Sequence, residues 1–189
     1  MSEEVKEVKE VKKARKFEGK PKTDRKAAPK REEEGFEKKL VCVRKVTKVV
    51  KGGRTLRFSA LVVVGDGKNG VGLGIGKSQE VPAAIDKATA AAKKNINKIR
   101  VVDGTIPHEI IGKFGSTQIL MLPAKPGTGV IAGGAARAVL ELAGIKDIVT
   151  KIHGSTNKIN CVKATMNGLV ALRTREEIAA RRGKAPEEI

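Results

Sequence analysis

Between positions 70 and 76 every second residue is glycine: Gly70-Val71-Gly72-Leu73-Gly74-Ile75-Gly76. That alternation has the period of a β-strand, whose successive side chains point to opposite faces. One face carries Val71, Leu73 and Ile75, and the other is bare backbone. Glycine weakens a strand interior and marks a place where another backbone or a ligand comes close. A fold for this chain must therefore bring a second object against the bare face, either a helix or an RNA backbone.

The flanking residues supply candidates. Residues 40–50, LVCVRKVTKVV, have the β-branched content of a strand. Lys51-Gly52-Gly53-Arg54 reads as a turn and residues 55–64 as a second strand. There Leu56, Phe58, Ala60, Val62 and Val64 alternate with Thr55, Arg57 and Ser59, which predicts one buried face. Residues 65–70 form another turn, carrying Lys68, before the glycine strand, which ends at Lys77. Residues 80–99 read as a helix with Pro82 in its first turn and Val81, Ile85, Ala88, Ala92, Ile96 and Ile99 at spacings of three or four. Lys87, Lys94 and Lys98 form a stripe on another side, with Lys93 beside it. Three strands and a helix make a small basic α+β domain.

A boundary is expected at residues 104–107. Residues 108–113 and 117–122 read as two strands joined by Phe114-Gly115-Ser116. A glycine-rich loop with Pro126, Gly127, Gly129, Gly133 and Gly134 then leads into a helix over 134–143, stopped by Gly144. Residues 148–152 suggest a short strand. Asn157 caps a helix bearing Ile159, Val162, Met166, Leu169 and Val170, and Thr174 with Glu177 gives a capping-box pattern before a last helix that ends at Gly183. The organisation expected is a charged tail over 1–35, domains over 36–103 and 104–183, and a short tail over 184–189. The first tail, with its EVKEVKEVK repeat, has too few core-forming residues to offset chain entropy and is expected to be disordered.

Charge points to the partner. The chain has 39 Lys and Arg against 21 Asp and Glu, a formal net charge of +18. Residues 1–39 hold 14 basic and 10 acidic groups, residues 40–100 hold 13 against 3, and residues 101–189 hold 12 against 8. The excess lies in the first folded part, which favours a shaped surface for a polyanion over a sticky tail. With no Trp or Tyr and four Phe, stacking of single-stranded bases has little to work with. Contacts to phosphate, sugar and duplex shape suit this composition better. Lys48, Lys51, Arg54 and Arg57 form a basic finger at the first hairpin. Lys68, Lys77, Lys87, Lys93, Lys94 and Lys98 extend the candidate RNA surface, and Lys158 adds a contact at the later helix start.

Cys42 and Cys161 lie in apolar-rich runs and read as small buried residues of a reducing compartment. Without a CxxC spacing, no zinc site is expected. No apolar signal core and no run of 18 apolar residues is found, so a cytoplasmic protein is expected, without a membrane association.

Other chemistries fit poorly. Gly76-Lys77-Ser78 would need a glycine at position 71 to make a phosphate-binding P-loop, and position 71 is valine. Gly127, Gly129 and Gly133 give GxGxxxG, one residue longer than the dinucleotide fingerprint, and no acidic residue follows at the required distance. The loop and helix over 124–145 still suit a nucleotide phosphate, an RNA phosphate or a neighbouring protein. His108 and His153 have no partner of triad type, and no pair of carboxylates shares a helix face. An enzyme is not expected, nor a cofactor, nor a metal. In Gly154-Ser155-Thr156-Asn157-Lys158, Asn157 reads as a simple N-cap.

Three blocks, FSALVVVGDGKNGVGLGIGKSQEVPAAIDKA, PGTGVIAGGAARAVLELAGI and GSTNKIN, resemble the bacterial small-subunit ribosomal protein five family, and the resemblance covers residues 36–183. It implies an N-terminal domain similar to double-stranded-RNA-binding domains. It also implies a second α/β sandwich domain with a left-handed βαβ crossover, of a kind shared with several phosphate-handling ATPases. The family resemblance implies binding of 16S rRNA where body and head of the small subunit meet. Contacts with small-subunit proteins four and eight, proximity to the path by which mRNA enters, and a role in assembly and accuracy are implied too. No homo-oligomer is expected. Val49, Val50, Lys51, Gly52, Gly53 and Arg54 correspond to the family segment associated with spectinomycin resistance. Gly129 and Arg137 correspond to positions at the contact with protein four where changes relax decoding accuracy. Family members often carry arginines where this chain has Lys93 and Lys94. Lysine there keeps the charge and loses the planar fork. A free regulatory double-stranded-RNA-binding module is the competing reading, and the second-domain blocks argue against it.

Overall fold

A computed structural model describes residues 35–185. The tail expected over 1–35 lies, apart from Gly35, outside the described residues, as do the last four positions. Eight strands and four helices are described, in a mixed α+β arrangement with two sheets. Strands β1 (Glu37–Val50), β2 (Gly53–Gly65) and β3 (Gly70–Ser78) form an antiparallel meander, followed by helix α1 (Val81–Lys94) and strand β4 (Ile96–Lys98) on the β3 edge.

The bare glycine face of β3 receives a helix. A Cβ on Gly72, Gly74 or Gly76 would lie 2.2, 1.9 or 2.2 Å from the backbone oxygens of Ala92, Ala88 and Ala84. Those three alanines are the fully buried residues of α1. An alanine ridge on glycine backbone brings helix and sheet closer than ordinary side chains allow, so packing accounts for the alternation.

Two sequence expectations are corrected here. The helix read over 80–99 stops at Lys94, and Asn95 turns the chain by donating its N–H to Ala92 O. Residues 96–98 then pair with Gly70–Gly72, giving the β3 edge the hydrogen-bond partners it would otherwise lack. Ile96 and Ile99 continue the helical spacing, but Ile96 lies half-buried in this strand and Ile99 is buried just past its end, and Lys98 leaves the helix stripe. The second correction concerns β2. Ala60, Val62 and Val64 face α1, while Leu61 and Val63 are equally buried on the opposite face, and Leu56 near the hairpin tip is exposed. The strand is two-sided in its second half because the rest of the chain covers its other face.

That cover comes from residues 104–183. Strands β5 (Ile110–Phe114) and β6 (Thr117–Pro123) form a hairpin, and the sheet order is β5-β6-β8-β7. Strand β7 (Val130–Ile131) lies inside what the sequence reads as loop alone, and pairs in parallel with β8 (Ile148–Gly154). Helix α2 (Gly134–Leu142) makes the crossover between them. Helix α3 (Lys158–Ala171) packs on β5 where Gly112 meets the Ala164 carbonyl, and α4 (Arg175–Arg182) closes the described chain. Leu61, Val63 and Val71 of the first sheet belong to the same buried cluster as Ile119 and Met121 of the second sheet and Val139, Leu140 and Leu142 of α2. The two lobes thus share a core. Arg100 Nε donates to Glu177 Oε1 at 2.6 Å, and Lys39 pairs with Glu141, each joining the lobes at the surface.

Candidate nucleic-acid interface

The first hairpin outruns its sheet. Strand β3 ends opposite Phe58, so from the Val46–Arg57 pair to the Val50–Gly53 pair β1 and β2 form a two-stranded ribbon, with a two-residue turn at Lys51-Gly52. Both faces of this ribbon are solvent-exposed, and Val49, Val50 and Leu56 stand exposed with Lys48, Lys51, Arg54 and Arg57. Residues 49–54, which the family resemblance alone links to antibiotic resistance, form its tip.

Register sorts the predicted cations by face, since directly paired residues on neighbouring strands share one. Lys48 pairs with Thr55, Arg57 with Val46, and Lys77 with Ser59, all on the face away from α1. Arg54 pairs with Val49 on the helix side. Lys87, Lys93 and Lys94 stand exposed on α1, with the Lys93 ammonium 6.0 Å from the centre of the Phe36 ring. Lys68 in the β2–β3 turn and Lys98, paired with Gly70, sit at the opposite end of the sheet from the finger. Thirteen residues of β2 separate the two ends, about 40 Å at a strand rise of ~3.3 Å per residue. The candidates therefore form a finger group, a helix group and a far-end group. Lys158 is exposed at the start of α3, in the other lobe.

One cation was missed. Arg44 pairs with Ser59, which pairs with Lys77, so Arg44, Ser59 and Lys77 make one row across three strands. Its Nη2 donates to Asn157 Oδ1 at 2.9 Å, next to Lys158. The two-residue period of Arg44, Val46 and Lys48 carried this signal. Asn157 is the N-cap expected, accepting from Ile159 N.

The second candidate region is the loop before α2. Gly129 has φ 76°, donates its N–H to Asp147 Oδ1 at 2.8 Å, and accepts from Ile148 N. Arg137 Nη2 donates to Val130 O at 3.1 Å. Both positions linked by the family resemblance to accuracy therefore fix the same β7 segment, Gly129 from the β8 side and Arg137 from the helix.

Chemistry of other kinds finds little support in the geometry. His108 is a joint: Nε2 accepts from Arg173 N, leaving Nδ1–H to donate to Glu109 O at 2.8 Å. His153 is exposed on β8. Among the described residues no group of three or more His, Cys, Asp or Glu is placed to hold a metal, and no helix is long and apolar enough to cross a membrane. Cys161 is buried as expected, whereas Cys42 is only partly so. Desolvation pushes the Cys161 thiol pKa up, against a smaller lowering by a backbone hydrogen bond.

Residues 36–100 match the family model "Ribosomal protein S5, N-terminal domain", and residues 112–182 match "Ribosomal protein S5, C-terminal domain". Small ribosomal subunit protein uS5 of a Polaromonas species is 52% identical over 174 residues, 92% of this chain and 98% of the relative. The chain belongs to the ribosomal protein S5 family. Two further uS5 relatives are similar over most of the chain. That of Ralstonia nicotianae is 53% identical over 157 residues, 83% of this chain and 91% of its own. That of Dehalococcoides mccartyi is 55% identical over 151 residues, 79% and 88% of the two chains. The first matched S5 segment contains the β1–β4 sheet with α1, and the second contains all of α2, α3 and α4.

Proposed function

We propose that this S5-family chain acts by clamping 16S rRNA at the junction of body and head of the small subunit. As a member of its family it is a structural, non-enzymatic constituent of the small ribosomal subunit, serving translation. The observation that carries the finer reading is the exposed ribbon. Lys48, Lys51, Arg54 and Arg57 line a two-stranded projection free on both faces, without an acidic residue in it. Each phosphate neutralised there releases counterions, which makes binding strong and salt-dependent.

In this reading residues 36–103 are the double-stranded-RNA-binding-like domain, and residues 104–183 the ribosomal α+β domain. The β7–α2–β8 crossover is left-handed. The Gly129–Arg137 loop docks protein four and sets decoding accuracy, protein eight is a second neighbour, and the protein lies near the path by which mRNA enters. The protein works in the cytoplasm, within the ribosome. The test is sedimentation of a cell extract with detection of this chain. Its presence in the 30S fraction after a moderate-salt wash is the expected result, and its absence overturns the reading.

A further inference from the structure

The first sheet has two basic sides, and they are not equivalent. On the helix side, Lys87, Lys93 and Lys94 project from a convex helix that also exposes Asp86. On the other side, Val46, Lys48, Val50, Thr55, Arg57 and Lys77 line a hollow of about 420 Å³. Arg44 stands in the row next to Arg57, with Lys77 two strands across. At a strand spacing of ~4.8 Å and about 6.6 Å between alternate residues, these four cations lie within a patch on the order of 10 by 15 Å. Of the acids in the first sheet and around it, Asp66 is in the far turn, Glu80 precedes α1, Asp86 is on it, and Glu37 pairs with Gly65 at the far end of this face, so none lies between the hairpin and Arg44. Concave walls of low dielectric lined by one sign of charge focus the field and concentrate counter-ions.

Along the same face the sheet passes under the second lobe, where Leu61, Val63 and Val71 are buried. Arg44 stands at that boundary, its guanidinium on Asn157, the cap of α3, with exposed Lys158 as the next residue. A line of positive charge thus runs from the hairpin across the lobe boundary without an intervening acid.

We infer that the helix-free face of the first sheet, from Lys48, Arg57 and Lys77 through Arg44 to Lys158, is the principal phosphate track for ribosomal RNA. The helix lysines are secondary to it. This deepens the rRNA-binding reading and rests on it. Arg44 links the two lobes on that track: its planar fork holds the Asn157 carbonyl with one N–H and keeps further donors for phosphate oxygens.

The test uses the full chain and a 16S rRNA transcript, with binding measured across a salt series. The triple variant Arg44→Gln, Arg57→Gln, Lys77→Gln is compared with Lys87→Gln, Lys93→Gln, Lys94→Gln. Both remove three charges from exposed positions. The track variant is expected to lower the slope of log affinity against log salt by about 2–3, at ~0.7–0.9 per phosphate, while the helix variant lowers it by less than about 1. Since Arg44 also holds Asn157, the double variant Arg57→Gln, Lys77→Gln is measured as well, with an expected loss of about 1.5. An unchanged slope in the track and double variants, or an equal or greater loss in the helix variant, overturns the inference while leaving rRNA binding intact. Failure of the unaltered chain to bind the 16S transcript more tightly than a 23S transcript of equal length overturns both readings.

Discussion

Gly129 has open space where a Cβ would go, so its need for glycine is one of backbone conformation, φ 76°, and not of room. Gly129→Ala is expected to cost about 1–2 kcal/mol, the penalty of a left-handed backbone for a residue with a Cβ. Gly129→Asp tolerates that backbone better, yet places a carboxylate beside Asp147, which accepts the Gly129 N–H at 2.8 Å. Urea denaturation reads the cost directly. A loss under about 0.3 kcal/mol for Gly129→Ala would show that the loop is not held as described. In cells, Gly129→Asp or Arg137→Ala is expected to raise stop-codon readthrough, because each frees the β7 segment from one of its two anchors. Normal accuracy with both changes would reject a role for this loop in decoding. The cysteines give a second residue-scale prediction. Burial holds the Cys161 thiol protonated, whereas Cys42 is partly exposed. Ellman's reagent at pH 8 should therefore label one thiol per chain rapidly and the second only in denaturant. Fast labelling of both would contradict the burial of Cys161.

At the scale of elements, the glycine strand and α1 are one device. A Cβ at Gly74 would lie 1.9 Å from the Ala88 carbonyl oxygen, which neither element can avoid without separating. Gly74→Ala should destabilise the protein by about 1–3 kcal/mol, the usual cost of overpacking, despite alanine's better intrinsic propensity. A neutral or stabilising effect in the same denaturation experiment would mean that α1 is not seated on that face. The glycine half of this device was legible in the sequence as a period-two signal, which left a helix and an RNA backbone equally open as its partner until Ala84, Ala88 and Ala92 are seen seated on it. The ends of elements were less so. Ile96 and Ile99 satisfy the helical spacing, and only the unpaired edge of β3, a tertiary fact, converts residues 96–98 to a strand. Burial of Leu61 and Val63 was hidden for the same reason, since the residues that cover them lie beyond position 100. In the candidate interface, lysines could be named from charge density, but their division between faces depends on register. Arg44 carries a weaker signal, since it stands in the strand leading to the turn and its place in one row with Lys77 is set by the pairing of three strands.

At the scale of the whole molecule, the family models match two separate segments, yet one buried cluster runs through both lobes. Leu142 and Leu140 of α2 lie with Leu61 and Val63 of β2 in that cluster, and the Leu142 carbonyl accepts the N–H of Gly67 at 3.2 Å. A first lobe on its own would expose the apolar face formed by Leu61, Val63, Val71 and Leu73. Small domains hold little stability in reserve, so losing that cover should unfold it. The lobes are therefore expected to unfold as one cooperative unit. Leu140→Ala tests this at a distance, because the residue sits in α2 and is fully buried. Its loss should cost about 2–5 kcal/mol. With no Trp or Tyr for fluorescence, hydrogen exchange followed amide by amide is the suitable readout. Protection should fall by the same factor in β2 and β3 as in β6 and β8. First-lobe amides that keep their original protection while the second lobe loses its own would show independent domains. A shared core also bears on function. A track that crosses the lobe boundary at Arg44 and Asn157 can hold a fixed spacing of charges only if the two lobes do not move apart, and the common cluster supplies that rigidity.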